Sequence, residues 1–211
     1  MYSSTIQKLI DIFSKFPGVG PRTASRFVFY LLRKPESETK QIVQAINDLH
    51  KAVRICVFCQ NPFEPEKNGQ DRLCLICSDQ RRDKTLLCLV EKEADLEALE
   101  KTRKYKGLYF VLGRLISPLR QKAWEKATVE KLLQKIKFPE KFGLVGADFQ
   151  EIILALNYTV ESQAVVLYLE RVLKPLNKKI SRLGLGLPIG GELEYADEET
   201  VSSALDSRKQ V

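Results

Sequence analysis

The chain has 211 residues, 44% of them hydrophobic, with 34 Lys and Arg against 27 Asp and Glu for a formal charge of +7. That length allows one or two domains with a real core, and the plentiful Leu, Ile, Val and Phe exclude wholesale disorder. No run of about 18 apolar residues is present and residues 1–5 lack the character of a secretory signal, so a soluble intracellular protein without a membrane partner is expected. Ile6, Leu9, Ile10, Phe13 and Phe16 recur at helical spacing until Pro17-Gly18 ends the run. A second amphipathic helix, with Ala24, Phe27, Val28, Leu31 and Leu32, ends near Pro35. A third is predicted from Ser37 to His50 on Ile42, Val43, Ile46 and Leu49. A cysteine-bearing stretch follows, with turn residues at Asn61-Pro62 and Asn68-Gly69.

From Thr85 the pattern changes. Apolar strands at 86–90, 108–112 and 152–156 alternate with helices predicted over 94–101, 127–137 and 161–173. That alternation argues for a parallel sheet with helices on its faces. Residues 184–191 are too rich in Gly and Pro for an ordinary helix or central strand. The charge is also unevenly spread. Residues 1–55 hold nine basic and four acidic side chains, 56–84 five of each, 85–190 eighteen against twelve, and 191–211 two against six. A basic front and body suit a phosphate-backbone partner, with the acidic tail kept off that surface. The tract from Lys101 to Lys106 reads as the solvated carboxyl end of a helix, with a second phosphate contact as its alternative.

Cys56-x-x-Cys59 is followed, fourteen residues on, by Cys74-x-x-Cys77. Two thiolates two residues apart can grip one face of a small cation, and two such knuckles complete the tetrahedron of a structural Zn²⁺ site. Disulfides or redox pairs are the alternative, disfavoured in a reducing compartment. Four protein ligands leave no position for a catalytic water, so one structural zinc per chain is expected. Cys88 lies in an apolar run and reads as a small core residue. His50, the single histidine, reads as a helix-end residue, and its solitude disfavours triads and most His-based acid–base chemistry.

Between the first two helices lies Phe16-Pro17-Gly18-Val19-Gly20-Pro21-Arg22-Thr23-Ala24. Gly18 and Gly20 would let the backbone turn sharply and approach another chain closely. The helix opening after them would present free N–H groups to a phosphate, with Arg22 and Arg26 flanking the same track. Val19 would plug the turn into the helix pair. The segment resembles a helix-hairpin-helix, with Gly18, Gly20, Arg22, Thr23 and Arg26 as DNA-binding residues. An ordinary turn between packed helices is the alternative.

The first strand runs into Val90-Glu91, followed by Asp95, and the third into Asn157-Tyr158-Thr159-Val160-Glu161-Ser162. A carboxylate at the carboxyl end of a parallel strand stands where ligands and metals gather. This arrangement resembles the Toprim fold of topoisomerases and primases, whose enzymatic members carry Asp-x-Asp where Asn157 and Thr159 stand. A neutral amide and a hydroxyl are poor Mg²⁺ ligands, and Glu91 with Glu161 would make a weak cation site at best. A non-catalytic scaffold is therefore expected. The alternative is a Toprim-type metal-dependent nuclease or a topoisomerase- or primase-related enzyme.

Taken with Ser181-Arg182-Leu183-Gly184-Leu185-Gly186-Leu187-Pro188-Ile189-Gly190-Gly191-Glu192-Leu193-Glu194-Tyr195-Ala196-Asp197-Glu198 and Gly107-x-Tyr109-x-Val111-Leu112-Gly113-x-x-Ile116-Ser117-Pro118, the order of motifs resembles the RecR family of bacterial recombination mediators over essentially the whole chain. The resemblance implies an α+β multidomain chain: a helix-hairpin-helix region at 1–54, a four-cysteine zinc finger at 55–84, a Toprim-like α/β domain with a parallel sheet at 85–180 and a Gly/Pro-rich oligomerisation segment at 181–211. It implies a dimer or tetramer ring on single-stranded, gapped or double-stranded DNA, in a cytoplasmic, nucleoid-associated setting. It also implies partnership with RecO and, in many bacteria, RecF, in loading RecA. Glu91, Asp95 and Glu161 match the Toprim acidic face tied to RecO in the family. Departures from the family pattern are Arg114 after Gly113, Arg120-Gln121-Lys122-Ala123 in place of an Asp-Gly-x-Gly-Pro turn, Ser162 in place of glycine, and a longer loop between the cysteine pairs.

Overall fold

The computed structural model describes residues 2–66, 72–113, 122–187 and 189–208, with residues 122–128 as backbone. The turn expected at Asn68-Gly69, the motif positions Arg114 to Gln121, and Pro188 lie outside the described residues. The chain forms two compact units, Met1–Val53 and Arg54–Val211.

In the first unit, α1 (Ser4–Phe13) starts at Ser3, whose hydroxyl accepts the Ile6 N–H. It is followed by α2 (Pro21–Leu32) and α3 (Glu36–Ala52). Ile10, Ala24 and Val28 form a small buried core, with Ile6, Leu9, Phe13 and Val19 packed against it. The fully buried methyl of Ala24 lets α1 and α2 approach closely. In α3, Glu36 and Glu38 occupy the first turn and His50 and Lys51 the last, so the charges oppose the helix dipole at both ends. His50 thus stands where its sequence position put it. The apolar row Ile42, Val43, Ile46 and Leu49 is 45–57% exposed and joins none of the buried clusters among the described residues.

The second unit begins with an antiparallel pair, β1 (Arg54–Ile55) and β2 (Pro62–Phe63), and a short helix, α4 (Leu75–Ser78). Then come β3 (Asp83–Val90), α5 (Glu93–Lys101), β4 (Gly107–Val111), α6 (Lys122–Lys137), β5 (Glu151–Ala155), α7 (Val160–Leu173), β6 (Lys179–Arg182) and α8 (Glu198–Asp206). The four longer strands form one parallel sheet in the order β4-β3-β5-β6. β6 escaped the sequence pattern because Lys-Ile-Ser-Arg carries one apolar residue; it is a short edge strand. α8 escaped it too, being polar and only nine residues long; Asp197 caps it by accepting the Thr200 N–H.

Both faces of the sheet are buried, as parallel strands require. Leu87, Leu89, Leu108, Phe110, Ile152 and Leu154 point to one face and meet Leu132 and Ile136 of α6 and Val166, Leu169 and Leu173 of α7. Cys88, Val90, Tyr109, Val111 and Ala155 point to the other, against Leu96 of α5. Cys88 is thus a core residue, and burial pushes its thiol up to about 12. At Gly107 the chain passes so close to Tyr105 and Leu86 that an added Cβ would stand 2.3 Å from the Tyr105 oxygen and 2.6 Å from the Leu86 Cβ. Lys101 to Lys106 is mostly exposed, with Lys101 in the last turn of α5, an arrangement that fits both a solvated helix end and a phosphate contact.

Candidate functional site

Three constellations carry chemistry. Cys56, Cys59, Cys74 and Cys77 are all buried, and their sulfurs lie within 4.8 Å of one another. The first pair sits on the turn closing β1 and β2, where Gln60 takes a left-handed φ of 68° and the Cys56 N–H donates to the Asn61 carbonyl (2.9 Å). The second pair brackets the start of α4. Backbone N–H groups support the sulfurs: Cys74 donates to the Cys56 sulfur (3.4 Å) and Asn61 to the Cys59 sulfur (3.5 Å). The thiol of Cys56 is held far below its ordinary value because Cys59, Cys74 and Cys77 can each donate to its sulfur. Cys77 is held well above, chiefly by sharing its proton with Cys56. Four buried sulfurs in one closed shell, deprotonated on binding, are the donor set a soft divalent ion takes, so the residues present fit a metal centre.

This knuckle is built into the sheet's own core. Phe58 stacks on Phe149 (5.8 Å between centroids), the Val111 N–H donates to the Cys59 carbonyl (2.8 Å), and the Lys135 ammonium donates to the Phe58 carbonyl (2.9 Å). Lys135 is only 3% exposed, between the rings of Phe110 and Phe142. Burial lowers it to about 8, against the pull of the nearby Cys56 and Cys59 sulfurs. Nothing in the sequence pattern singled out Lys135; its helix carries several lysines, and only packing distinguishes this one.

The second constellation is the hairpin between α1 and α2. Gly18 has a φ of +76°, which favours glycine, whereas Gly20 is extended and serves as the N-cap of α2. The two glycines therefore differ in backbone role, Gly18 making the turn and Gly20 opening the helix, while at both an added Cβ would stand in open space. Val19 packs against the Ile10–Ala24–Val28 core. No side chain caps α2, and Arg22 and Arg26 lie one turn apart on it, Arg22 exposed, with Thr23 half-buried between them.

The third lies between β3 and β5, where the strand order reverses and open parallel sheets bind ligands. Glu91 leaves the end of β3 but is only 8% exposed. One carboxylate oxygen accepts the Asn157 N–H (2.7 Å) and the Ser162 hydroxyl (2.6 Å); the other accepts the Asn157 side-chain amide. Thr159 caps α7 by accepting the Ser162 N–H (3.2 Å). Thus the two neutral residues at the motif positions are a hydrogen-bond donor to Glu91 and a helix cap. Asp95 lies apart from them, accepting the Lys92 N–H at the start of α5, and Glu161 is exposed in the first turn of α7. The role of Ser162 was hidden in the sequence, which marked it as an unusual residue but not as a partner of Glu91.

The comparisons with known proteins agree with this architecture. A model described as RecR, helix-hairpin-helix matches residues 6–50, one described as Toprim domain matches 85–184, and one described as RecR, C-terminal matches 186–209. Curated proteins called Recombination protein RecR are similar over the whole chain. That of Bifidobacterium animalis subsp. lactis is 42% identical, that of Desulfitobacterium hafniense 41%, and that of Acidothermus cellulolyticus 40%. In each, 100% of this chain aligns with 98–99% of the relative. With its helix-hairpin-helix, four-cysteine cluster and Toprim sheet in that order, the chain belongs to the RecR family of recombination proteins.

Proposed function

We propose that the chain acts in recombinational DNA repair as a non-catalytic DNA-binding clamp that helps RecO, and RecF where present, to load RecA onto gapped single-stranded DNA. The observation that carries this reading is the state of the strand-end carboxylate. Glu91 accepts three hydrogen bonds from its own chain, two of them from Asn157, which is neutral where Toprim enzymes carry Asp. A carboxylate engaged in this way is a poor ligand for a hydrated Mg²⁺, so the sheet lacks the metal clamp that phosphoryl transfer needs. The hairpin supplies a binding function instead. Arg22 and Arg26, with the free N–H groups at the start of α2 and the open surface at Gly20, suit the phosphate backbone and carry no base-reading geometry.

In this reading the parts divide as 1–54 for DNA contact, 55–84 for one structural Zn²⁺ held by Cys56, Cys59, Cys74 and Cys77, 85–180 for the Toprim scaffold, and 181–211 for assembly into a dimer or tetramer ring. Bound zinc would cross-link the two knuckles and supply no chemistry of its own. The RecO-facing surface is assigned to the Toprim acidic face. Asp95 and Glu161 are its outward members, and Glu91 holds the strand ends behind them.

Binding to gapped and single-stranded DNA, measured by fluorescence anisotropy, should weaken steeply as salt rises, because the contacts are to phosphates. Arg22→Glu with Arg26→Glu should abolish it while leaving the solution mass unchanged; unaltered DNA affinity would overturn the hairpin assignment. With Mg²⁺ or Mn²⁺ the protein should neither cut nor relax DNA. Activity lost on Glu91→Ala would establish an enzyme instead.

A further inference from the structure

Along α2, Arg22, Arg26, Phe29 and Arg33 recur at i, i+4, i+7 and i+11 and so share one face. This face bounds an open groove of about 750 Å³ whose lining includes Tyr2, Phe29, Tyr30, Arg26 and Arg33, and no carboxylate. Tyr2 meets Phe29 edge-on at 5.4 Å between ring centroids. Tyr2 and Tyr30 are 52% and 58% exposed, far more than core aromatics in the sheet. Lys34 lies over the Tyr30 ring at 5.1 Å from its centroid. The three guanidinium groups have no ion-pair partner among the described residues.

Exposed rings beside unpaired guanidinium groups select among occupants. Another apolar protein surface would cover the rings but would also desolvate the arginines without pairing them, which is costly. Duplex DNA offers phosphates, but its bases are already stacked. A single strand offers both phosphates for the arginines and free base faces for the rings, and base–aromatic stacking tolerates any sequence.

We propose that this groove is a single-strand subsite, in which Tyr2 and Tyr30 stack on unpaired bases while Arg26 and Arg33 hold the flanking phosphates. The inference rests on the DNA-binding reading above and sharpens it: the hairpin holds either form of DNA, and the groove holds only a strand with free bases.

The test compares the full chain with Tyr2→Ala/Tyr30→Ala and with Arg22→Glu/Arg26→Glu. Anisotropy is read on an oligothymidylate, an abasic strand of equal length and a duplex. The tyrosine variant should lose roughly tenfold or more on oligothymidylate. Its affinity for the duplex and the abasic strand should stay within about twofold, because those ligands present no free base to stack. The arginine variant should lose affinity for all three ligands. Equal affinity of the tyrosine variant and the parent for oligothymidylate overturns the subsite and leaves the clamp standing. A tyrosine variant whose solution mass falls would make the groove a contact between copies and also overturns it. Absence of DNA binding by the parent overturns the clamp and the subsite together.

Discussion

At the scale of single residues, Glu91 shows that a buried carboxylate is stable only when its oxygens are satisfied. Asn157 and Ser162 satisfy them, and in doing so join the ends of β3 and β5 to the first turn of α7. Ser162→Ala removes one donor to a charged acceptor at a position only 1% exposed and should cost about 1.5–3 kcal/mol, read as a lowered urea midpoint. Asn157→Asp is more telling. It places a second carboxylate against Glu91 and should destabilise the protein further, with part of the loss recovered on adding Mn²⁺ because a cation can then bridge the two. The parent should show no Mn²⁺ effect; a parent midpoint that rises with Mn²⁺ would mean that Glu91 already serves as a cation ligand. The neutrality of Asn157 and Thr159 was legible in the sequence. The cap at Thr159 has a local signature, a hydroxyl residue three positions before Ser162 at the head of a helical run, whereas the bond from Asn157 to Glu91 spans 66 positions and leaves no local trace.

At the scale of elements, periodicity revealed what packing made periodic. β3, β4, β5, α5 and α7 read clearly because their apolar residues face buried layers, whereas β6 and α8, at an edge and on the surface, have no such imprint. The spacing of the cysteines likewise foretold their convergence, but not that the knuckle shares a core with the sheet through Phe58, Phe149 and Lys135. Because of that sharing, Cys74→Ser should disturb more than a surface finger. Metal analysis should fall from about one zinc per chain, and near-UV circular dichroism of the sheet aromatics should weaken with it. A second tie joins α5 to the sheet. Arg82 pairs with Glu100 (2.8 Å), which also accepts the Tyr109 hydroxyl (2.7 Å). The Arg82 hydrogen bond holds the Glu100 carboxyl below its ordinary range. A lowered carboxyl stabilises the fold above its unfolded value and loses that contribution as pH falls through the folded one. Arg82→Met should therefore cost about 1–3 kcal/mol at neutral pH. The gap between parent and variant midpoints should narrow below about pH 4; a gap that holds constant on further acidification would sever the link to Glu100.

For the whole molecule, the question is why so much apolar surface stays open. Ile42, Val43, Ile46 and Leu49 form an open face on α3, and Ile189, Leu193, Tyr195 and Leu205 are exposed along the carboxyl segment, Ile189 fully. In the proposed assembly, apolar rows of this kind would be covered by another copy. Assembly would also multiply the basic hairpins. Each chain contributes Arg22 and Arg26, so the number of phosphates a ring neutralises, and with it the slope of log affinity against log salt, should grow with the number of copies. Leu193→Ser with Tyr195→Ser alters exposed positions that no described core depends on, so the fold should be kept. Light scattering should then report a smaller species than the parent at equal concentration. The salt slope for DNA should become shallower roughly in proportion to the copies lost, while the zinc content per chain stays the same. A smaller species that keeps the parent's salt slope would mean that one copy makes all the phosphate contacts. The clamp would then act as a chain bound to DNA rather than as a ring around it.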